Sequence, residues 1–280
     1  MGITSFINNL NDSYDYLILE VGVDALKGMD KFLELFTPDI SIITGFAPQH
    51  LATFKTLENI INEKMKLAYA TKEKVYINGE FKDHIKVYKN NFSFYNFNDI
   101  KVLSDYEFEY KNIVYKTNIF GTHLWLNLLP VIDCSLDLKT PLNLVKKEIQ
   151  KIRNYEHRFE PQNIDNGLLI DDSYNSNYYS FLKSISYVSS LKGYKILITP
   201  GLIELGDKSY IYNTDIALKA KEIFDLIILV GKNKAFKENL KSSENFRTFL
   251  NFNDSLNYAK NIKYYKIILI ENDLPDVYIE

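Results

Sequence analysis

HRFEPQNIDNGLLIDDSYNSN, residues 157–177, decides how this chain is read. It opens on an imidazole and a guanidinium, His157 and Arg158. An apolar run, Leu168-Leu169-Ile170, then reads as a buried strand. The run ends in Asp171-Asp172, and Ser, Tyr and two Asn follow. Acids at the C-terminal end of an apolar strand, ahead of a helix-starting Ser/Asn cluster, lie where α/β proteins bind ligands. The same residues also suit an ordinary strand followed by a helix cap. On either reading a βα unit starts here.

Downstream, that alternation continues. Apolar strands are expected at 167–171, 195–199, 226–230 and 265–270, with 246–250 as a further candidate. Helices are expected at 178–191, 213–224, 233–240 and 254–261. Strands buried on both faces with helices between them imply a parallel sheet of Rossmann-like topology. Its first turn has no GxGxxG, which argues against a dinucleotide site of the usual kind.

Upstream, Ile3–Leu10 has a short helical pattern and Tyr16–Leu19 reads as a strand ending at Glu20-Val21-Gly22. A helix is expected over 24–37, closed by Pro38, then a strand over 40–44 that leads into GFAPQH. His50 there suits either a ligand or a capping role. A helix over 54–69 carries Lys64. A short strand spans 75–79. FSFYNF, KVLSDYEFEY and NIVYKTNIF, between 92 and 120, alternate as antiparallel strands do. An apolar helix is expected from Leu124 to Cys134 with Asn127 inside it; that amide needs a partner, a neighbouring loop or a ligand base. Another helix is expected over 141–152, and Asn154–Phe159 is the hinge.

Composition bounds the function. The 280 residues suggest one large or two medium domains, and 46% apolar residues suffice for real cores. A net charge of −3 gives no basic field for nucleic acid. Only Arg153, Arg158 and Arg247 carry guanidinium groups. The lone Cys134 excludes an internal disulfide and fits a reducing compartment. No apolar run approaches the ~20 residues of a membrane span, and no signal peptide is visible, so a cytoplasmic protein without nucleic-acid or membrane partners is expected. CxxC, HExxH and GxSxG are absent.

Taken in order, the polar residues at strand ends resemble the Mur ligase family, ATP-dependent ligases that build the peptide stem of the bacterial cell wall. LILEVG, GFAPQHLATFKTLENIINEK, GTHLWLN, HRFE with IDDSYNSN, and ITPGLIELG carry the resemblance across nearly the whole chain. The DSYN wording and GLIELG are similar to the branch that adds D-alanyl-D-alanine to UDP-N-acetylmuramoyl-tripeptide.

The resemblance implies an α/β fold in two parts: a P-loop-type central, ATP-binding domain over 1–156, truncated before its first strand and loop, and a C-terminal Rossmann-like domain over 157–280. It implies ATP and Mg2+ as cofactors, with Glu20, His50 and a carbamylated Lys64 as catalytic and metal-holding residues. Carbamylation needs a neutral amine, hence a lysine whose pKa is depressed. Asn127 would meet adenine, Arg158 the phosphates and Asp172 the ribose hydroxyls. Tyr174, Asn175 and Asn177 would shape that loop, Tyr174 and Asn177 on the ATP side and Asn175 on the substrate side. Gly201 and Glu204 would face the amine-bearing substrate.

This sequence departs from the family pattern in two ways. GxxGK[ST] occurs nowhere in it, and Leu124 stands where the family has Asn. The expected product is therefore a ligase by ancestry, inert without the phosphate loop, with a separate N-terminal domain or fragment as a possible partner. A nucleotide-binding or regulatory remnant and a folyl-polyglutamate-type ligase relative are the alternatives.

Overall fold

A computed structural model describes residues 14–272. The helix expected over 3–10 and residues 273–280 lie outside them. The element order begins with α1 (Gly28–Leu33), β1 (Ile40–Ile43), α2 (Leu51–Phe54), α3 (Leu57–Ala70) and β2 (Lys74–Asn78). It continues with β3 (Phe92–Tyr95), β4 (Ile100–Ser104), β5 (Glu107–Tyr110), β6 (Ile113–Lys116), α4 (Leu128–Asp137) and α5 (Leu142–Lys151).

Three of the expected elements change. Tyr16–Leu19 is not a strand, and Ile18 is 91% exposed. Among the described residues β1 pairs only with β2, so the segment finds no ladder to join. The helix expected over 24–37 contracts to α1, because Lys27 takes a left-handed conformation, φ 66°, just before it. The β-rich stretch splits in two. β3 joins β1 and β2 in a parallel sheet, while β4–β5–β6 form a separate antiparallel meander, KVLSDYEFEY folding at Asp105-Tyr106. Phe108, Tyr115 and Trp125 stack beneath that meander. Asp133, buried in the same core on α4, accepts from the Tyr110 hydroxyl at 2.8 Å and from Lys111 at 2.7 Å, so its charge is compensated.

The second half holds β7 (Glu160–Ile164), β8 (Gly167–Asp172), α6 (Tyr178–Ser190), β9 (Tyr194–Thr199), α7 (Ser209–Ile223) and β10 (Leu226–Val230). Then come α8 (Lys234–Leu240), β11 (Phe246–Phe249), α9 (Phe252–Lys260) and β12 (Lys266–Glu271). They form one six-stranded sheet in the order β11-β10-β9-β12-β8-β7. Five strands run parallel; the central residues of β8, β9, β10 and β12 are buried, as helices on both faces require, while Arg247 and Thr248 of the edge strand β11 are exposed. The sixth, β7, is an antiparallel edge hairpinned to β8. Its sequence, EPQNI, has no strand alternation, and its first Pro is tolerated because an edge strand need not donate on both sides. Among the described residues no helix is long and apolar enough to cross a membrane.

The two halves are welded at the hinge. The Asn154 side chain accepts from the Phe120 amide at 2.7 Å and donates to the carbonyls of Phe120 and Phe159, each at 2.9 Å. Phe159 sits at φ 53° and is buried; its ring stacks on Phe120 and meets His123 and Tyr187 edge-on. Gly121, at φ 94°, leaves room for that ring, since a Cβ there would lie 2.8 Å from it. Asn154→Ala removes these bonds, and a longer one to the Arg158 carbonyl at 3.4 Å, and leaves backbone groups at the hinge unpaired. It should destabilise the chain by about 1–3 kcal/mol, read as a lower urea midpoint; an unchanged midpoint would mean that the hinge is held elsewhere.

Candidate functional site

The C-terminal ends of β8, β9, β10 and β12 gather on one side of the large sheet, where open α/β sheets place ligands. Two loops leave this edge. The first is Ser173–Asn177, following β8. Asn177 caps α6 by accepting from the amides of Tyr179 and Ser180, each at 3.1 Å. Tyr174 is exposed and lies flat against the Arg158 guanidinium, 4.1 Å from ring centroid to Cζ. Arg158 also donates to the Asn175 carbonyl at 3.2 Å. Arg158, Tyr174 and Asn175 are thus brought together, while Asn177 serves as the cap of α6.

The second loop is Pro200–Gly206, following β9. Gly201 has φ 81°, and a Cβ on it would strike the side chains of Asn213 and Asn233, so only glycine fits. Buried Asn213 accepts from the Leu202 amide at 2.7 Å and donates to the Leu202 carbonyl at 3.0 Å. Asn272 ties the two loops together: it donates to the Gly201 carbonyl at 2.6 Å and accepts from the Ser176 amide at 3.0 Å.

The second loop reaches across to the N-terminal half. Leu202 and Leu205 share a core with Leu51 and Phe54 of α2. Glu204, at φ 60°, meets His50, at φ 51°, with Oε2 2.7 Å from the ring Nδ1. Nearby along the seam, Lys183 of α6 donates to both oxygens of Glu80 at 2.9 and 2.7 Å.

Three expected residues stand apart from these contacts. Glu20 is exposed and makes no hydrogen bond or ion pair among the described residues. Asn127 is exposed at the end of a 3-10 turn, Thr122–Asn127, which replaces the first part of the helix expected from Leu124. Lys64 is half-buried on α3, and burial lowers the pKa of its amine. Its neighbour Glu63 takes the ionic bonding on that helix, accepting from Lys66 at 2.8 Å and from the Met29 amide at 2.9 Å. Asp172 turns inward: Oδ1 accepts from the Phe159 amide at 3.0 Å and Oδ2 from the Ser184 hydroxyl at 2.9 Å.

Sequence reasoning missed Asn213 and Ser184, polar residues at helix positions that lie in the core, which is the signal that could have found them; Glu271 and Asn272 are legible as a polar strand end, but not as partners of the Ser173–Asn177 loop. It also assigned no role to two histidines. His157 pairs with Asp171 at 2.8 Å, and the hydrogen bond raises its pKa above 6.5. His123 is pushed down to about 4 by burial, aided by the Lys183 charge, and its Nδ1 has no partner among the described residues.

Comparison with known proteins follows the same two-part architecture. Residues 1–134 match the model of the Mur ligase middle domain. The chain is 25% identical over 252 residues to the UDP-N-acetylmuramoyl-tripeptide--D-alanyl-D-alanine ligase of Borreliella burgdorferi, covering 83% of this chain and 54% of that one. It is 22% identical over 254 residues to the Escherichia coli ligase of the same name, covering 83% and 56%. The chain therefore spans about half the length of the curated relatives it matches. Among solved structures, a MurF from Acinetobacter baumannii superposes with a TM-score of 0.80 at 17% identity, over 96% of this chain and 64% of that one. A MurF ligase from Thermotoga maritima in complex with ADP gives 0.74 at 17% identity, over 88% and 61%. The L. casei FPGS in its apo form gives 0.56 at 13%, over 85% and 59%.

The two histidines give opposite pH signatures. NMR titration of the ring protons should show His157 titrating above 6.5 and His123 staying neutral down to about 4. The raised His157 contributes stability that is full below the unfolded value of about 6.5 and is lost as pH rises through its folded pKa. The depressed His123 does the reverse, its stability being lost as pH falls from about 6.5 toward 4. His157→Gln should flatten the first slope and leave the second.

Proposed function

We propose that this chain, which belongs to the Mur ligase family of peptidoglycan precursor synthesis, is the central and C-terminal portion of a cytoplasmic ATP-dependent ligase that joins D-alanyl-D-alanine to UDP-N-acetylmuramoyl-tripeptide. The observation that carries the reading is the seam itself. The GFAPQH loop of the central part and the GLIELG loop of the C-terminal part meet at His50 and Glu204. In the reaction proposed, ATP phosphorylates a substrate carboxylate, and an amine then displaces phosphate to form an amide. Both reactants are anions, so the site must supply positive charge and orientation.

The residues fit a nucleotide in part. Asn127 offers an open amide for adenine. Arg158 stacked on Tyr174 offers a planar cation for phosphate oxygens. Asn175 and Asn177 hold that loop in shape, and Gly201 and Glu204 border the side where the amine would enter. Asp172, expected on the ribose, has its oxygens engaged by Phe159 and Ser184, so its part in this proposal is to fix the loop. The β- and γ-phosphates find no glycine-rich cradle in this sequence. Turnover accordingly requires a strand and GxxGK[ST] loop from elsewhere in a longer chain or from a second polypeptide.

For Mg2+, Glu20 and a carbamate on Lys64 would give the oxygen donors that a hard cation prefers. His50 would add a nitrogen through Nε2, since Nδ1 faces Glu204. These residues would thereby let the cation supply charge neutralisation for the two anionic reactants. The lowered pKa of Lys64 favours the neutral amine that must react with carbon dioxide.

Two measurements test the reading. ADP at 100 times its Kd should stabilise the chain by about 2.7 kcal/mol, and Arg158→Ala should remove most of that shift; no shift at millimolar ADP would sink the nucleotide site. The chain alone should release no phosphate from ATP with the tripeptide and dipeptide substrates, whereas adding a polypeptide that carries the glycine-rich loop should start release. Substituting a folate and glutamate as substrates separates the folyl-polyglutamate-type alternative, to which the L. casei FPGS fold lends support. Separately, 13C-labelled bicarbonate should give a carbamate carbonyl resonance that Lys64→Ala abolishes.

A further inference from the structure

The register of the large sheet sets Asp172, at the end of β8, directly opposite Glu271, at the end of β12. Glu271 is 0% exposed and Asp172 is partly buried. Glu271 Oε1 accepts from the Ser176 hydroxyl at 2.6 Å. Its other oxygen, Oε2, is buried and meets no donor among the described residues. The Asp172 oxygens accept from Phe159 N and Ser184 Oγ.

Among the described residues, the charged groups around the pair give Glu271 no counter-ion. Arg158, on the linker, is engaged by Tyr174 and by the Asn175 carbonyl, and its field acts on Asp172. His157 is paired with Asp171, the preceding residue of β8, whose side chain alternates to the other face of the strand. From α6 comes only the Ser184 hydroxyl, from the loop Ser176, and from beyond β12 the neutral Asn272, which is itself bonded to Gly201 and Ser176. Two adjacent carboxyls in such a place do not both ionise. A buried carboxyl oxygen that finds no donor is itself a donor if it carries the proton.

We propose that Asp172 and Glu271 hold one proton between them, carried by Glu271 and donated to Asp172. This carboxyl–carboxylate bond makes Glu271 a positioning residue that aims the Asp172 carboxylate at the Phe159 amide and, through Ser176, anchors the Ser173–Asn177 loop. Burial raises the pKa of Glu271 well above the ordinary range, and the Asp172 charge adds to the effect. Burial raises Asp172 as well, but Ser184, Glu271, the Phe159 amide and Arg158 hold that rise back, whereas Glu271 is raised well above the ordinary range, so the proposal assigns the proton to Glu271. The shared proton stands on its own; its use in ordering a nucleotide loop rests on the reading above.

The test needs no nucleotide, so its failure is distinct from failure of the ligase reading. The infrared difference spectrum of the full chain against Glu271→Gln, taken at pH 7, should contain the carbonyl stretch of a protonated carboxyl; its absence overturns the proposal. Stability should also diverge with pH. The folded chain keeps a proton that the unfolded chain gives up above pH 4.5, so the wild type loses stability relative to Glu271→Gln as pH rises from there toward the folded value. Parallel curves would overturn the shared proton. For positioning, amide exchange at Phe159 should be unchanged in Glu271→Gln, which keeps a donor, and faster by about tenfold or more in Glu271→Ala; equal rates in all three chains would remove the positioning role.

Discussion

The backbone of Phe159 is the point on which this molecule turns. A bulky residue with positive φ is costly and persists only where its surroundings fix it. Here its amide is held by Asp172, its carbonyl by Asn154 and its ring by Phe120, His123 and Tyr187. These groups come from both halves of the chain. The linker therefore cannot rotate without breaking bonds in each, and the position of the β8 loop relative to the first half is set by a handful of buried contacts within a few residues of the hinge.

The seam beyond the hinge divides its work between two kinds of interaction. The ion pairs, Lys183 with Glu80 and His50 with Glu204, are between a third and a half exposed, and pairs in water are worth little. Cohesion comes instead from Leu51 and Phe54, which enter the core of the large sheet beside Leu202 and Leu205, at roughly 1.5–3 kcal/mol for each buried side chain. What the ion pairs add is register. Within the C-terminal half, register is a matter for neutral amides: Asn213 and Asn272 fix the PGLIELG loop with directional bonds that no salt concentration screens.

Much of this was legible in the sequence wherever a pattern is self-contained. The βα alternation from Leu168 onward survives almost residue for residue, because a strand buried on both faces is a continuous apolar run whatever its neighbours. Tyr16–Leu19 shows the converse. It has the composition of a strand, but a strand needs a neighbour, and none of the described residues supplies one. β3 failed in a related way: FSFYNF alternates like its successors, yet its partner is β2, a choice that tertiary packing makes and local alternation cannot express. Among site residues, the grouping of Arg158 with Tyr174 and Asn175 could be anticipated because they flank one strand end. The meeting of His50 and Glu204 could not, since 154 residues separate them.

The same contrast explains why the site divides as it does. Groups held by short loops on the large sheet are completed by their own neighbours. Glu20, Lys64 and Asn127 lie on the first half and engage no side chain among those loops. A carboxylate in solvent and a desolvated amine are each unfavourable tools alone: the first is screened, and the second resists carrying charge. In the ligase proposed above, a bound cation would offset both defects. His50 is the residue best prepared for that, because Glu204 already orients its ring through Nδ1 and leaves Nε2 facing away. The contact that closes the seam thus also aligns a side chain of the first half by a group of the second.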